Sequence, residues 1–176
     1  LLGLREIDNI VKSNCGNTSP PPSPPLSGGC GGPMVTTWDF SDHPNATPTL
    51  TLPLIEQSLP DDLGVITNYN FNFTVDWGDG TTSEVTSFDD PDKTHTYPSK
   101  GTYTITISGT LEGWGSSEEE RYPIYRWEGV KYLFDVNNLG DLSFKNLRWA
   151  FKDSFNLNSF SGGITSGVQD MSSMFD

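Results

Sequence analysis

Residues 73–80, Phe-Thr-Val-Asp-Trp-Gly-Asp-Gly, place a strand pattern directly before a tight turn. Phe73, Val75 and Trp77 alternate with polar residues, which is typical of a strand with one buried face. The Asp-Gly pair that ends the run supplies the positive φ that a tight hairpin requires. This segment therefore predicts antiparallel β structure with Trp77 in its core.

The same alternation recurs on both sides of this turn. Clusters of Gly, Asn, Asp and Pro separate the alternating segments, and several short strands with such spacing predict a β-sandwich over residues 33–122. The further apolar faces are formed by Leu50, Leu52 and Leu54 upstream and by Tyr103, Ile105 and Ile107 downstream.

Three elements in a fixed order carry a family resemblance. Residues 73–80 are followed by His-Thr-Tyr at residues 95–97 and then by Gly-Thr-Tyr-Thr-Ile-Thr-Ile at residues 101–107. In this order they resemble a PKD-type immunoglobulin-like domain. The histidine is expected to make a structural hydrogen bond. We expect the residues that carry these motifs to have structural rather than catalytic roles. These residues are Trp77, Gly78, Asp79, Gly80, His95, Tyr97 and Tyr103.

The chain is acidic, and its charge is uneven. Its 176 residues include 10 Lys or Arg and 23 Asp or Glu, a formal net charge of −13. Residues 33–122 hold 15 of the acidic groups and 3 of the basic ones. Electrostatic binding to nucleic acid is therefore not expected, because it needs a basic face. The sequence also predicts no membrane span, since it lacks a run of about 18 apolar residues.

Five aspartates leave two interpretations open. Calcium binds several carboxylate and carbonyl oxygens, so the acidic turn and the loop after it are candidates for a calcium site, the one cofactor considered. In the other interpretation, two of the aspartates shape the turn and the rest lie solvated in a loop; the regular oxygen spacing of an EF-hand is absent. The five candidates are Asp76, Asp79, Asp89, Asp90 and Asp92.

Residues 1–32 are predicted to form an N-terminal arm. A short helical pattern of apolar residues at 1–11 precedes five prolines and four glycines at residues 20–32. Such a composition is typical of an extended stretch joined to a flexible linker. Cys15 and Cys30 flank the linker, either as two separate thiols or as a disulfide, which would need an oxidising compartment.

Residues 123–176 contain an internal repeat. Leu-Arg-Trp-Ala-Phe at 147–151 and Met-Ser-Ser-Met-Phe at 171–175 share the same pattern of apolar, small and aromatic positions. Their offset lies within the period of about 20–29 residues that belongs to leucine-rich-repeat solenoids, in which each repeat buries its apolar face against its neighbours. We therefore predict the first units of such a solenoid and expect further copies after residue 176.

This segment also carries a resemblance. Ile-Tyr-Arg-Trp-Glu-Gly-Val at 124–130 and Val-Gln-Asp-Met-Ser-Ser-Met-Phe at 168–175 make it similar to the BspA-like leucine-rich-repeat surface proteins. In that family a PKD-like domain commonly precedes the repeats, and residues 34–176 keep that order. The departure is Trp127-Glu128-Gly129, where the family usually has Trp-Gly. Members occur on bacterial surfaces and among tailed-phage structural proteins.

These resemblances imply a non-catalytic protein for extracellular display or adhesion. The expected partner is a protein or a glycan on another surface, and self-association is also open. One alternative is a virion structural protein, such as a capsid decoration or a tail or head fibre, anchored by residues 1–32. A third hypothesis makes the sandwich an accessory module of a secreted hydrolase. An enzyme is not expected, because no G-x-S-x-G, H-E-x-x-H or P-loop motif occurs in a supporting strand–helix context.

Overall fold

Strands and short 3-10 helices make up the regular structure in the computed structural model, which describes residues 31–58, 64, 66–115 and 127–175. The expected mainly β class is confirmed, because these ranges contain no α-helix. The strands are β1 Met34–Asp39, β2 Thr49–Thr51, β3 Phe71–Asp76, β4 Thr82–Val85, β5 Thr94–Thr96, β6 Thr102–Leu111, β7 Leu133–Asn138 and β8 Ser159–Phe160. The 3-10 helices are Pro91–Lys93 and Glu128–Tyr132.

Two sheets form a sandwich-like arrangement. The larger sheet has the order β4-β3-β6-β1-β7-β8, and the smaller one pairs β2 with β5. All neighbouring strands are antiparallel except β7 and β8, which are parallel. In the larger sheet Val75 faces Ile107 and Thr36 faces Ile105. These pairings place the alternating apolar residues on the inner face, as the period of two predicts.

Indole rings fill the centre of the molecule. Trp38, Trp77 and Trp114 are completely buried, and each lies on a strand or shortly after one. Such rings contribute large apolar areas to a core. The buried cluster continues without interruption into the last segment, where it includes Leu133 and Phe151. One core therefore serves both the sandwich and the segment that follows it.

The chain after residue 127 joins the sandwich through β7. This strand pairs with β1, with Thr36 opposite Val136 and two register shifts along the ladder. The predicted boundary at residue 122 lies outside the described residues, as do residues 1–30 of the predicted arm together with Cys15 and Cys30.

Residues 133–175 form stacked turns of chain, which we call the stack. Asp135 pairs in parallel with Ser159 in the β7–β8 ladder. Farther along, Asn146 pairs in parallel with Asp170, and Phe151 N donates to Met174 O at 2.8 Å. Each of these contacts joins one repeat to the corresponding part of the next, so each turn lies directly on the preceding one.

The end of β6 lies beneath the first turn of the stack. Leu111 N donates to Leu142 O at 2.8 Å, and Trp114 N donates to Asn146 O at 3.0 Å. Gly115 permits this approach, because a Cβ there would collide with the carbonyl oxygen of Arg148. Residues 111–115 thus act as a base for the stacked turns.

Candidate functional site

The turn after β3 is built by its own aspartates. Asp76 Oδ1 accepts the backbone N–H of Gly78 at 2.9 Å. Asp79 Oδ1 accepts both the N–H of Thr81 at 3.0 Å and its hydroxyl at 2.6 Å. Short acidic side chains favour such turns because they bond to the backbone two residues ahead. The turn then reverses the chain into β4.

Gly78 brings this turn close to the neighbouring strand β6. Its φ is +77°, and a Cβ at this position would collide with the carbonyl oxygen of Thr104. Glycine adopts positive φ without steric cost, and only hydrogen fits against that carbonyl. Gly80 also has a positive φ, +90°, but its surroundings are open. The two glycines of the motif therefore meet different requirements.

Trp77 and His95 stack face to face beside the turn. Their ring centroids are 4.8 Å apart, with 15° between the ring planes. The indole is completely buried, and its Nε1 donates to Ser83 Oγ at 3.0 Å. Trp77 thus serves as a core residue whose polar atom is bonded to β4.

His95 also contacts a carboxylate of the turn. His95 Nε2 lies 2.8 Å from Asp79 Oδ2, and the exposed fractions of the two side chains are 17% and 6%. Burial raises the pKa of Asp79, but hydrogen bonds from Thr81 and His95 outweigh it, so this pKa lies below its ordinary value. The carboxylate therefore stays ionised and holds the imidazole in position against Trp77.

Two tyrosines complete the row of rings. Tyr97 lies edge-on to His95 at 4.7 Å and stacks on Tyr103 at 4.1 Å. The Tyr103 hydroxyl donates to Ser99 O at 2.9 Å, whereas the buried Tyr97 hydroxyl has no hydrogen-bond partner among the described residues. Burial, reinforced by Asp79 and Tyr103, raises the pKa of Tyr97. We call Trp77, Asp79, His95, Tyr97 and Tyr103 the turn cluster.

The carboxylates of four calcium candidates, Asp76, Asp79, Asp89 and Asp90, accept local hydrogen bonds, and Asp92 contributes its backbone N–H. Beyond the turn, Asp90 accepts the N–H and hydroxyl of Thr86 with one oxygen and the N–H of Asp92 with the other, and these bonds lower its pKa. Asp89 accepts the hydroxyl of Ser87 at 2.8 Å. Within the described ranges no three His, Cys, Asp or Glu side chains come together in a group that could hold a metal ion. The calcium interpretation thus receives no support from this geometry.

A salt bridge joins the residue after β6 to the stack and was not anticipated from the sequence. Lys145 Nζ lies 2.7 Å from Glu112 Oε1, and Glu112 Oε2 accepts two hydrogen bonds from Asn70 at 2.9 and 3.0 Å. Burial raises the pKa of Glu112, but the bonds from Lys145 and Asn70 outweigh it and lower the pKa. The sequence feature that could have revealed this contact is Glu112, a single acidic residue within the otherwise apolar residues 111–114.

The two stacked turns repeat the same local geometry. Asn146 Oδ1 accepts the N–H of Arg148 at 2.8 Å, and Asp170 Oδ1 accepts the N–H of Ser172 at 2.9 Å. Rings also repeat, since Phe151 and Phe175 stack with centroids 5.6 Å apart. The motif positions predicted from the sequence thus lie one above the other.

Comparison with known proteins identifies the central segment. Residues 41–119 match the PKD domain family, which supports an immunoglobulin-like domain of the PKD type there. No curated protein and no solved structure matches the chain. A PKD domain is commonly an extracellular adhesion or spacer module. No helix in the described ranges has the length and apolar character needed to cross a membrane.

Proposed function

We propose that this chain is a non-catalytic extracellular display protein in which a PKD-type sandwich carries a leucine-rich-repeat surface of the BspA-like kind. One observation carries the proposal. Successive turns of chain pair in parallel at the offset of the sequence repeat, and their first turn rests on the end of β6. Parallel stacking at a fixed offset is what a repeat solenoid requires.

The apolar side chains of the stack support this assignment. Phe160 lies edge-on to Phe151 at 5.3 Å and to Phe175 at 5.2 Å, so aromatic contacts cross from one turn to the next. Leu147, Phe151 and Met174 are buried. A single turn of the stack has too little volume to bury such groups alone, and neighbouring turns supply the missing contacts.

The sandwich gives the stack a covered end. Trp127 Nε1 donates to Thr51 O at 2.8 Å, and its ring contacts Trp38 at 5.3 Å and Trp114 at 6.0 Å. With β7 paired to β1, the first turn has partners for its backbone and its apolar face. Solenoids need such capping units. The sandwich therefore acts both as spacer and as cap, and it fixes the direction in which the repeat surface points.

Attachment measurements test the adhesion role. The full chain, coupled to beads, is applied to host cells, extracellular matrix and bacterial envelopes. Substitution of exposed stack residues, Lys152→Ala with Phe155→Ala, should weaken attachment at least threefold. The matched exposed pair on the sandwich, Lys100→Ala with Ile66→Ala, should leave it unchanged. Attachment lost only with the sandwich pair, or hydrolysis of the bound surface, would contradict the proposal.

The composition of residues 20–32 favours one alternative location. An extended proline stretch followed by glycines suits an arm that docks on another protein while the sandwich projects outward. The alternative is therefore a virion appendage anchored by residues 1–32. Mass spectrometry of purified virions and of cell envelopes distinguishes the two locations. Loss of virion incorporation on deletion of residues 1–32 would support the appendage.

A further inference from the structure

A cavity of about 510 Å³ lies where the sandwich meets the stack. One wall comes from the end of β1 and the loop after it, with Asp39, Asp42 and Pro44. The other comes from residues 131–134 and from Asn156 of the next turn. Ligand sites of this size often lie between structural units, where two surfaces converge. We call it the junction cavity.

Aromatic rings line the cavity and are held in place. Tyr132 packs against Phe40 at 5.1 Å and against the buried His43 at 4.9 Å. Phe134, which also lines the cavity, is 39% exposed. An exposed aromatic ring on a concave surface points to an interaction site rather than to a core.

The polar groups of the cavity are of mixed type. Asp39 Oδ1 accepts the N–H of Ser41 at 2.9 Å, and hydrogen bonds from the side chain and backbone of Ser41 hold its pKa below the ordinary value. Asn156 Nδ2 donates to Lys131 O at 2.6 Å, which leaves the amide oxygen as an acceptor. Lys131 Nζ lies 4.9 Å from the centre of the Tyr132 ring. Carboxylates, an amide and an ammonium group thus surround the rings.

This mixture disfavours an anionic ligand and suits a neutral one. Asp39 and Asp42 repel an anion, and Lys131, which already lies over the ring of Tyr132, weakens the attraction of the two carboxylates for a cation. A neutral ligand with many hydroxyls uses all of these groups, because hydroxyls donate to carboxylates and accept from the ammonium and amide groups. The apolar C–H face of a sugar ring also matches an exposed aromatic ring.

We propose that the junction cavity binds neutral oligosaccharides, with Phe134 as the stacking surface and Asp42 as a hydrogen-bonding group. This proposal rests on the proposed adhesion function and names its ligand class. An open site with few polar groups predicts weak binding, with a Kd of about 10⁻⁴–10⁻³ M. Many copies on one surface would then bind firmly by avidity.

The test is a titration of the full chain followed by NMR. Neutral oligomers of glucose, mannose, galactose and N-acetylglucosamine are the first probes, and high-mannose glycans released from glycoproteins are the second. Shifts in the second arm alone would assign the source to glycoproteins, and shifts in the first arm alone to polysaccharides. In either arm, backbone amide shifts should concentrate at residues 39–43 and 131–134 and at residue 156.

Matched variants make the proposal falsifiable. Phe134→Ala should weaken the affinity at least tenfold and Asp42→Ala about threefold. Ile164→Ala, which removes a side chain of similar exposure, 37%, elsewhere on the stack, should leave affinity unchanged. Equal binding by all variants would place the site elsewhere. Binding of polylysine or of an acidic peptide instead of sugars would overturn the ligand class. Attachment of beads without any sugar binding would overturn this site while leaving the adhesion function in place.

Discussion

Trp149 and Ser173 share a left-handed backbone conformation, with φ of 51° at both residues, and they occupy the same position in consecutive turns of the stack. Neither is glycine, so both conformations carry a steric cost. A hydrogen bond joins the two turns at this position, because the N–H of Trp149 donates to Ser172 O at 3.2 Å. A strained conformation that recurs at the same position of the next repeat indicates that the turn geometry is imposed by stacking rather than by the identity of either residue.

Gly78 should be much less tolerant of substitution than Gly80. Both have positive φ, but a Cβ at Gly78 would collide with Thr104 O, whereas the space around Gly80 is open. We expect Gly78→Ala to cost about 3 kcal/mol or more and Gly80→Ala about 1 kcal/mol. Urea denaturation of both variants measures the difference. Equal losses would show that the close approach to β6 has no energetic weight.

The Asp79–His95 pair should make stability depend on pH at the acidic end. The folded-state pKa of Asp79 is lowered, so its ionised form stabilises the fold above the unfolded pKa of about 3.9. That contribution is lost as the pH falls through the lower folded-state pKa. Asp79→Asn turns one acceptor into a donor and should cost about 2 kcal/mol at pH 7.

The same difference should shrink as the pH falls from the unfolded pKa of about 3.9 through the lower folded-state pKa of Asp79, because the wild-type carboxylate is then protonated as well. Denaturation curves between pH 2 and pH 7 provide the measurement. Asp92→Asn is the matched control, because that side chain is exposed in the same part of the sandwich. A cost for Asp79→Asn that does not vary with pH would contradict the electrostatic account.

Tyr97→Phe should stabilise the protein by about 1 kcal/mol, because its hydroxyl is buried without a hydrogen-bond partner among the described residues and its removal relieves a desolvation cost. Tyr103→Phe is the control, since it removes a hydroxyl that donates to Ser99 O and should cost about 1 kcal/mol. Thermal melts of both variants give the comparison. Destabilisation by Tyr97→Phe would reveal a partner for that hydroxyl.

Asn146 and Asp170 occupy equivalent positions in the stack but should contribute differently to the free energy of unfolding. Asn146 is buried, and besides its turn bond its Nδ2 donates to the Tyr69 hydroxyl at 3.1 Å. Asp170 has a side chain that is 31% exposed. We expect Asn146→Ala to cost about 3 kcal/mol and Asp170→Ala about 1 kcal/mol. Hydrogen exchange should show faster opening of both turns in the first variant; equal effects would show that the buried bond from Asn146 to Tyr69 adds no stability.

Strand prediction succeeded where burial alternates and failed where it does not. In β3 the residues Phe71, Phe73 and Val75 are buried in alternation, which is the pattern on which the prediction depended. In β4 the last residue alone, Val85, is buried, so no alternation exists to detect. In β7 the buried residues Leu133 and Val136 are three apart, because the ladder with β1 contains two register shifts.

Local chemistry alone accounts for the Asp-Gly turn, the aspartate bonds within it and the repeat spacing of the last segment. These features depend on residues close in the chain or on periodic composition, so they can be found without knowing the fold. Long-range pairing is different: β7 beside β1, Glu112 beside Lys145 and the walls of the junction cavity arise only when distant segments meet. Their register is selected by the shared core, which no local pattern encodes.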